Sequence, residues 1–177
     1  MRSLGWGIIT AATIYLASLV LPENETPWIA FFIIMLYTLM EIDKRMLLLP
    51  DILTVPLLIV GFSYAVFAGG MLGYEPAASA ANSALGAAAG YVIPVIASLF
   101  LIKKYPEAFG GGDIKLLSAV GSWVGLTNIP YVILLSCLLF AVSCFINKQR
   151  QGAFGPSIVI ASLIILFLSC LLYTSDA

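Results

Sequence analysis

Ala77 to Ile102 reads AASAANSALGAAAGYVIPVIASLFLI, twenty-six residues without one charge. A helix crossing a hydrocarbon core of about 30 Å at about 1.5 Å per residue needs about 20 such residues. The run is long enough to cross, and it stops at Lys103-Lys104. Working outward, further apolar runs occur at Leu4–Leu21, Trp28–Ile42, Ile52–Ala68, Ile114–Leu126, Tyr131–Ile146 and Pro156–Tyr173. Breaks bearing charge, proline or glycine separate most of them, at 22–27, 43–51, 69–76, 103–113 and 147–155. Between the fifth and sixth runs only Thr127–Pro130 intervenes, which predicts a tight hairpin there. The expected fold is an all-α polytopic membrane bundle of about six to seven transmembrane helices, residues 1–177 forming one domain. Arg2 and the first run resemble a signal peptide, but no small-x-small cleavage site follows, so a retained first span is expected.

Composition agrees. Of 177 residues, 62% are hydrophobic and 10% charged, against roughly half and a quarter in soluble domains. The mean hydropathy is +1.08. A net charge of −1 offers no basic field for nucleic acid, and the partner it does imply is the lipid bilayer. Histidine is absent, which excludes a Ser-His-Asp triad, a His-x-x-x-His zinc helix and a histidine-ligated haem. Cys137, Cys144 and Cys170 sit in apolar runs without a Cys-x-x-Cys pair. They read as buried, inert thiols; no metal and no cofactor is expected.

Lysines and arginines set the orientation. With the N-terminus inside, Arg2, Lys44, Arg45, Lys103, Lys104, Lys115, Lys148 and Arg150 all fall on the cytoplasmic side. Glu23, Glu25, Glu75 and Asp176 fall on the other. Asp43 then closes the second span and Asp113 opens the fifth at the same membrane face, although seventy residues separate them. Gly86-x-x-x-Gly90 and Gly121-x-x-x-Gly125 are patterns that let helix backbones approach closely in lipid.

Acids near hydrocarbon are costly, so each needs a reason. Singly, Asp43 reads as a charge facing Lys44 or Arg45, and Asp51 and Asp113 read as helix caps. Asp113, however, follows Gly110-Gly111-Gly112. Three glycines cost conformational entropy, and suit a backbone that bends tightly or lies against another strand. Two carboxylates at one depth can share a proton, one acting as base on water while its protonated partner polarises a carbonyl. A Lys115–Ser118 dyad is the rival nucleophile on one helix face. Lys115 is more simply read as an interfacial anchor or an acid's partner. Paired aspartates also suit a proton- or cation-coupled transporter, but such acids belong near mid-membrane.

Two stretches then become recognisable. Glu107-Ala-Phe-Gly110-Gly-Gly112-Asp113-Ile-Lys115 resembles the Gly-x-Gly-Asp region of type IV prepilin peptidases. Asp43 to Pro56, with its Leu-Pro-Asp and Leu-Thr-x-Pro elements, resembles that family's other segment; Gly86–Tyr91 and Phe154-Gly155-Pro156 fit similar stretches. The resemblance implies an aspartic peptidase of the bacterial inner membrane, multi-pass, with its active site facing the cytoplasm. Its substrates would be prepilins or pseudopilins, cut between a basic leader and an apolar helix. The catalytic pair would be Asp43 and Asp113, with Gly110 and Gly112 shaping the active-site loop. Asp51, Glu107 and Lys115 would support the pair or face the substrate. Many members also carry paired Cys-x-x-Cys motifs and an N-methyltransferase activity; lacking those cysteines, this chain is expected to be a peptidase-only short form.

Overall fold

The computed structural model describes residues 2–20, 24–70, 75–101, 110–147 and 152–175. Among them run six helices: α1 Arg2–Val20, α2 Thr26–Met46, α3 Asp51–Ala68, α4 Pro76–Leu101, α5 Gly111–Asn147 and α6 Gly155–Ser175. The spans at Thr26–Met46, Asp51–Ala68, Pro76–Phe100 and Gly111–Ile146 are long and apolar enough to cross a membrane. Shorter apolar helices occupy Gly7–Leu19 and Gly155–Ser169. The protein is an all-helical membrane bundle. Lys103, Lys104, Lys148 and Arg150 lie outside the described residues.

In α2, Ile29, Phe32, Ile33, Leu36, Leu39, Met40 and Asp43 are buried. Their spacing of three and four makes one helical face, so the apolar stripe that packs α2 also carries Asp43 inward. The helix ends at Leu47, in the left-handed conformation at φ 52°, with its N–H donating to the Asp43 carbonyl at 2.9 Å. Pro50 then takes the cap position of α3, without a side-chain cap. The reading of Asp51 as that cap is corrected: it is the first helical residue, where the helix dipole favours a carboxylate.

Residues 116–125 of α5 are all buried, and α5 packs against α3, α4 and α6. A helix apolar on every side belongs in the centre. Close backbone approach holds it there. A Cβ on Gly86 would press on the Gly121 carbonyl and lie 2.6 Å from the Gly125 carbonyl carbon. One on Gly90 would lie 2.9 Å from the Leu117 carbonyl carbon. The two Gly-x-x-x-Gly motifs therefore pack on one another, in antiparallel register. Ser83 Oγ donates to the Ser122 carbonyl at 2.6 Å and Ser118 Oγ to that of Ala87 at 2.9 Å. Such bonds are worth about 0.6 kcal/mol each in a membrane bundle, and up to about 1.7. On the α3 side, Trp123 Nε1 donates to the Leu57 carbonyl at 2.8 Å, and the ring stacks on Phe32 at 4.7 Å between centroids.

The hairpin expected at Thr127–Pro130 lies elsewhere. Those four residues are helical, and the break falls at Gly125, with φ 76° and ψ 175°. That region is essentially open to glycine alone, which is why the chain turns there. Asn82 Oδ1, from α4, accepts the freed Leu126 N–H at 3.0 Å. The arm 126–147 then doubles back along α6: Asn128 Nδ2 meets Ser169 Oγ at 3.2 Å, and the Phe140 ring meets Phe154 edge-on at 5.2 Å. Cys137 on this arm is exposed and Cys144 partly so, which corrects the expectation of buried thiols. An outward face toward lipid is as apolar as a core. The Cys170 side chain lies outside the described residues.

These registers bring the end of α2, the start of α3, the start of α5 and the start of α6 to one end of the bundle. Lys44, Arg45 and Lys115 stand at that end. At the opposite end, the Tyr64 hydroxyl donates to Glu25 at 3.1 Å.

Candidate active site

Asp43 is 5% exposed, and a buried carboxylate must find donors. Arg45 is not one of them: its guanidinium pairs with Glu41, one turn back, at 2.6 Å. The donor comes from across the bundle. Gly155 N–H, at the first position of α6, reaches Asp43 Oδ2 at 2.8 Å. The first N–H groups of a helix have no partner within it, and its dipole is positive there. The start of α6 therefore accommodates a buried anion.

Asp113 is placed by the same physics applied locally. Gly110 occupies the cap position of α5, its carbonyl accepting from the N–H groups of Asp113 at 3.0 Å and Ile114 at 3.3 Å. Asp113 sits three residues into the helix, the position from which a side chain can reach back toward the cap, and its Oδ2 would lie 3.0 Å from a Cβ built on Gly110. The cap-like reading of Asp113 thus holds for its backbone surroundings, while the carboxylate also lies within electrostatic range of Asp43. Two carboxyl groups from α2 and α5 share one polar end of an apolar bundle, each lying against a glycine.

The glycine run divides its roles. A Cβ on Gly112 would come within 2.9 Å of Leu49 Cβ, so this glycine lets α5 start hard against the α2–α3 connection. Gly110 lies against the Asp113 carboxylate. Gly111 faces open space, with nothing within 4 Å of a Cβ built there. None of the three has a positive φ, so left-handed backbone is not what the run supplies; at Gly112 it supplies closeness to a neighbouring chain segment.

Lys115 reaches Asp51, its Nζ donating to both carboxylate oxygens at 2.7 and 2.8 Å. This pair ties α3 to α5 beside Asp113. Ser118, by contrast, donates to Ala87, so the two members of the supposed Lys115–Ser118 dyad have different partners. Lys115 is 49% exposed and Asp51 61% exposed, and exposed pairs are worth about 0 to 1 kcal/mol. Lys115→Ala should lower the thermal midpoint in detergent by only a few degrees at most, and less still at high salt. A larger loss in a melting experiment would mean that the pair is buried in the membrane. Glu107 lies outside the described residues.

Gly155 is the site residue that reading the sequence left without a role. Its signal was present in the Gly155-Pro156 pair at a helix start, because proline there marks N–H groups without helical partners. Nothing in the sequence said that the free N–H meets a carboxylate 112 residues away.

Comparison with known proteins bears on this geometry. The type IV leader peptidase family matches residues 30–146, a stretch that includes both aspartates. The chain is 29% identical over 155 residues to the prepilin leader peptidase/N-methyltransferase of Vibrio cholerae, covering 81% of this chain and 58% of that one. It is 42% identical over 135 residues to the protein of that name from Xanthomonas campestris pv. campestris, covering 71% and 44%. For that of Neisseria gonorrhoeae the identity is 31% over 134 residues, covering 73% and 44%. The chain thus spans about half the length of the curated relatives it matches. No solved structure matches it.

Proposed function

Since this chain belongs to the type IV leader peptidase family, we propose that it is a membrane aspartic endopeptidase with Asp43 and Asp113 as its catalytic pair. The observation that carries the proposal is that these two carboxyl groups, seventy residues apart in sequence, lie at one end of the bundle within electrostatic range of each other. Its substrates are prepilins or pseudopilins, as the names of its relatives suggest. The site faces the cytoplasm of a bacterial inner membrane, where the basic residues beside both aspartates belong.

Close carboxyl groups favour a state with one proton between them. A water molecule held by the pair gives its proton to the ionised carboxylate as its oxygen bonds to the scissile carbonyl carbon. The protonated partner gives its hydrogen to the carbonyl oxygen. The tetrahedral diol then breaks its C–N bond: the amine leaves with the proton taken from water, and one diol hydroxyl returns its proton to the partner. Both carboxyl groups end as they began. The pair titrates as a unit, so base and acid are states of the dyad. Hydrolysis is the activity assigned here.

The test is cleavage of a co-expressed prepilin, read as a mobility shift, with wild type, Asp43→Ala and Asp113→Ala at matched membrane levels. Wild type should cut and neither variant should. Cutting by either variant rejects the pair. Wild-type inactivity on several prepilins would bring forward the proton- or cation-coupled transporter.

A further inference from the structure

We infer that Gly155 is a positioning residue for Asp43. The inference rests on the reading of Asp43 as catalytic, and it lies outside the stretch matched by the family.

Two independent observations meet at this position. The first is the donor: Gly155 N–H points at Oδ2 of the buried Asp43 carboxylate from 2.8 Å. The second is the space. A Cβ on Gly155 would stand 3.0 Å from Asp43 Cγ and 3.1 Å from its Cβ, with Oδ2 nearer still. Any other residue at 155 would push its side chain into the carboxylate. A helix start that needed only to bind an anion would tolerate alanine, because the N–H would be unchanged. This one requires glycine because the carboxylate lies directly against the backbone. The contact also bridges α2 and α6, so it fixes the carboxylate relative to the bundle and not merely to its own helix. Phe154, whose ring packs edge-on against Phe140, holds the start of α6 in place for that purpose.

Asp113 has a similar closeness at short range, its Oδ2 at 3.0 Å from a Cβ built on Gly110. Each member of the dyad thus leans on the first turn of a helix through a glycine. For Asp113 the helix is its own. For Asp43 it is a distant one, so this anchor depends on correct packing of α6.

Gly155→Ala and Gly152→Ala test this in the full-length protein, with prepilin cleavage and thermal midpoint in detergent as readouts. Gly152 is the control, because a Cβ there meets only the Phe140 ring, at 3.9 Å. Gly155→Ala should lower kcat on the order of 100-fold, the loss expected when a catalytic group shifts by about 1 Å, while KM stays within about threefold. Gly152→Ala should match wild type. The second readout needs no activity. Gly155→Ala should lower the midpoint, and the same change made together with Asp43→Ala should cost much less, since the two nearest atoms it crowds, Oδ2 and Cγ, are gone. Poor accumulation of Gly155→Ala that is relieved in the double variant would count the same way. Wild-type cleavage by Gly155→Ala while Asp43→Ala is inactive overturns the inference, as does a midpoint loss of equal size in both backgrounds. Cleavage by Asp43→Ala itself would instead remove the catalytic reading on which the inference rests.

Discussion

Asp43→Asn and Asp113→Asn should each lower prepilin cleavage by at least about 1000-fold, and the double variant should be no slower than the worse single one. Asparagine keeps the shape of aspartate and an oxygen to accept a glycine N–H, so Gly155 keeps its partner and the bundle keeps its fold. What is lost is the ability to hold or release a proton. General acid–base catalysis contributes typically 100- to 10,000-fold for each group, and residues acting as one unit lose nearly everything when either is removed. Non-additivity is therefore the sharper half of the prediction. Two aspartates contributing independently to the same transition state would give losses that multiply. Single-turnover cleavage by purified protein in detergent, with all three variants melting near wild type, measures both. A double variant another 1000-fold slower than the singles would mean that the carboxyl groups do not share one proton.

What could be read from the sequence follows the range of the forces involved. Apolar runs and their lysine and arginine borders are local, and they reveal the bundle and the shared face of Asp43 and Asp113. Glycine patterns are nearly as local: Gly86 and Gly121 declare close backbone contact, and the structure sets them against each other. Proline and polar residues cluster at Thr127–Pro130, so the sequence pattern puts the break between the fifth and sixth runs there. Backbone conformation decides otherwise, since only Gly125 can adopt the required φ and ψ, and Asn82 on another helix satisfies the N–H set free. The partners of the charged groups were the least legible. Lys115 could have met any acid at its membrane face, and Asp51 is its partner only because α3 and α5 begin side by side. Gly155 was hidden for the same reason, as a backbone donor has no residue type to betray it.

Gly121→Ala should destabilise the protein and abolish cleavage, whereas Gly7→Ala should be neutral or stabilising. Alanine is favoured over glycine within a helix by about 1 kcal/mol, so helix propensity alone predicts a gain at both places. Packing separates them. A Cβ on Gly7 meets nothing within 4 Å, while one on Gly121 would stand 2.7 Å from the Gly86 carbonyl carbon and 3.1 Å from the Ala87 nitrogen. Those are backbone atoms of α4, with no rotamer to turn aside, so the helices must separate. Overpacking of this kind costs about 1 to 3 kcal/mol and at times more. Separation also stretches the bonds from Ser83 and Ser118 that cross the same seam. The sum exceeds the propensity gain, and the sign at Gly121 reverses. Because this arm of α5 carries Asp113 at its start, a shift along the seam moves one carboxyl group relative to the other, so activity should fall further than stability. Thermal midpoints in one detergent, with cleavage measured below the lower midpoint, provide the comparison. Equal midpoints for Gly121→Ala and Gly7→Ala would show that α4 and α5 do not meet in this register, and the placement of Asp113 beside Asp43 would lose its mechanical basis.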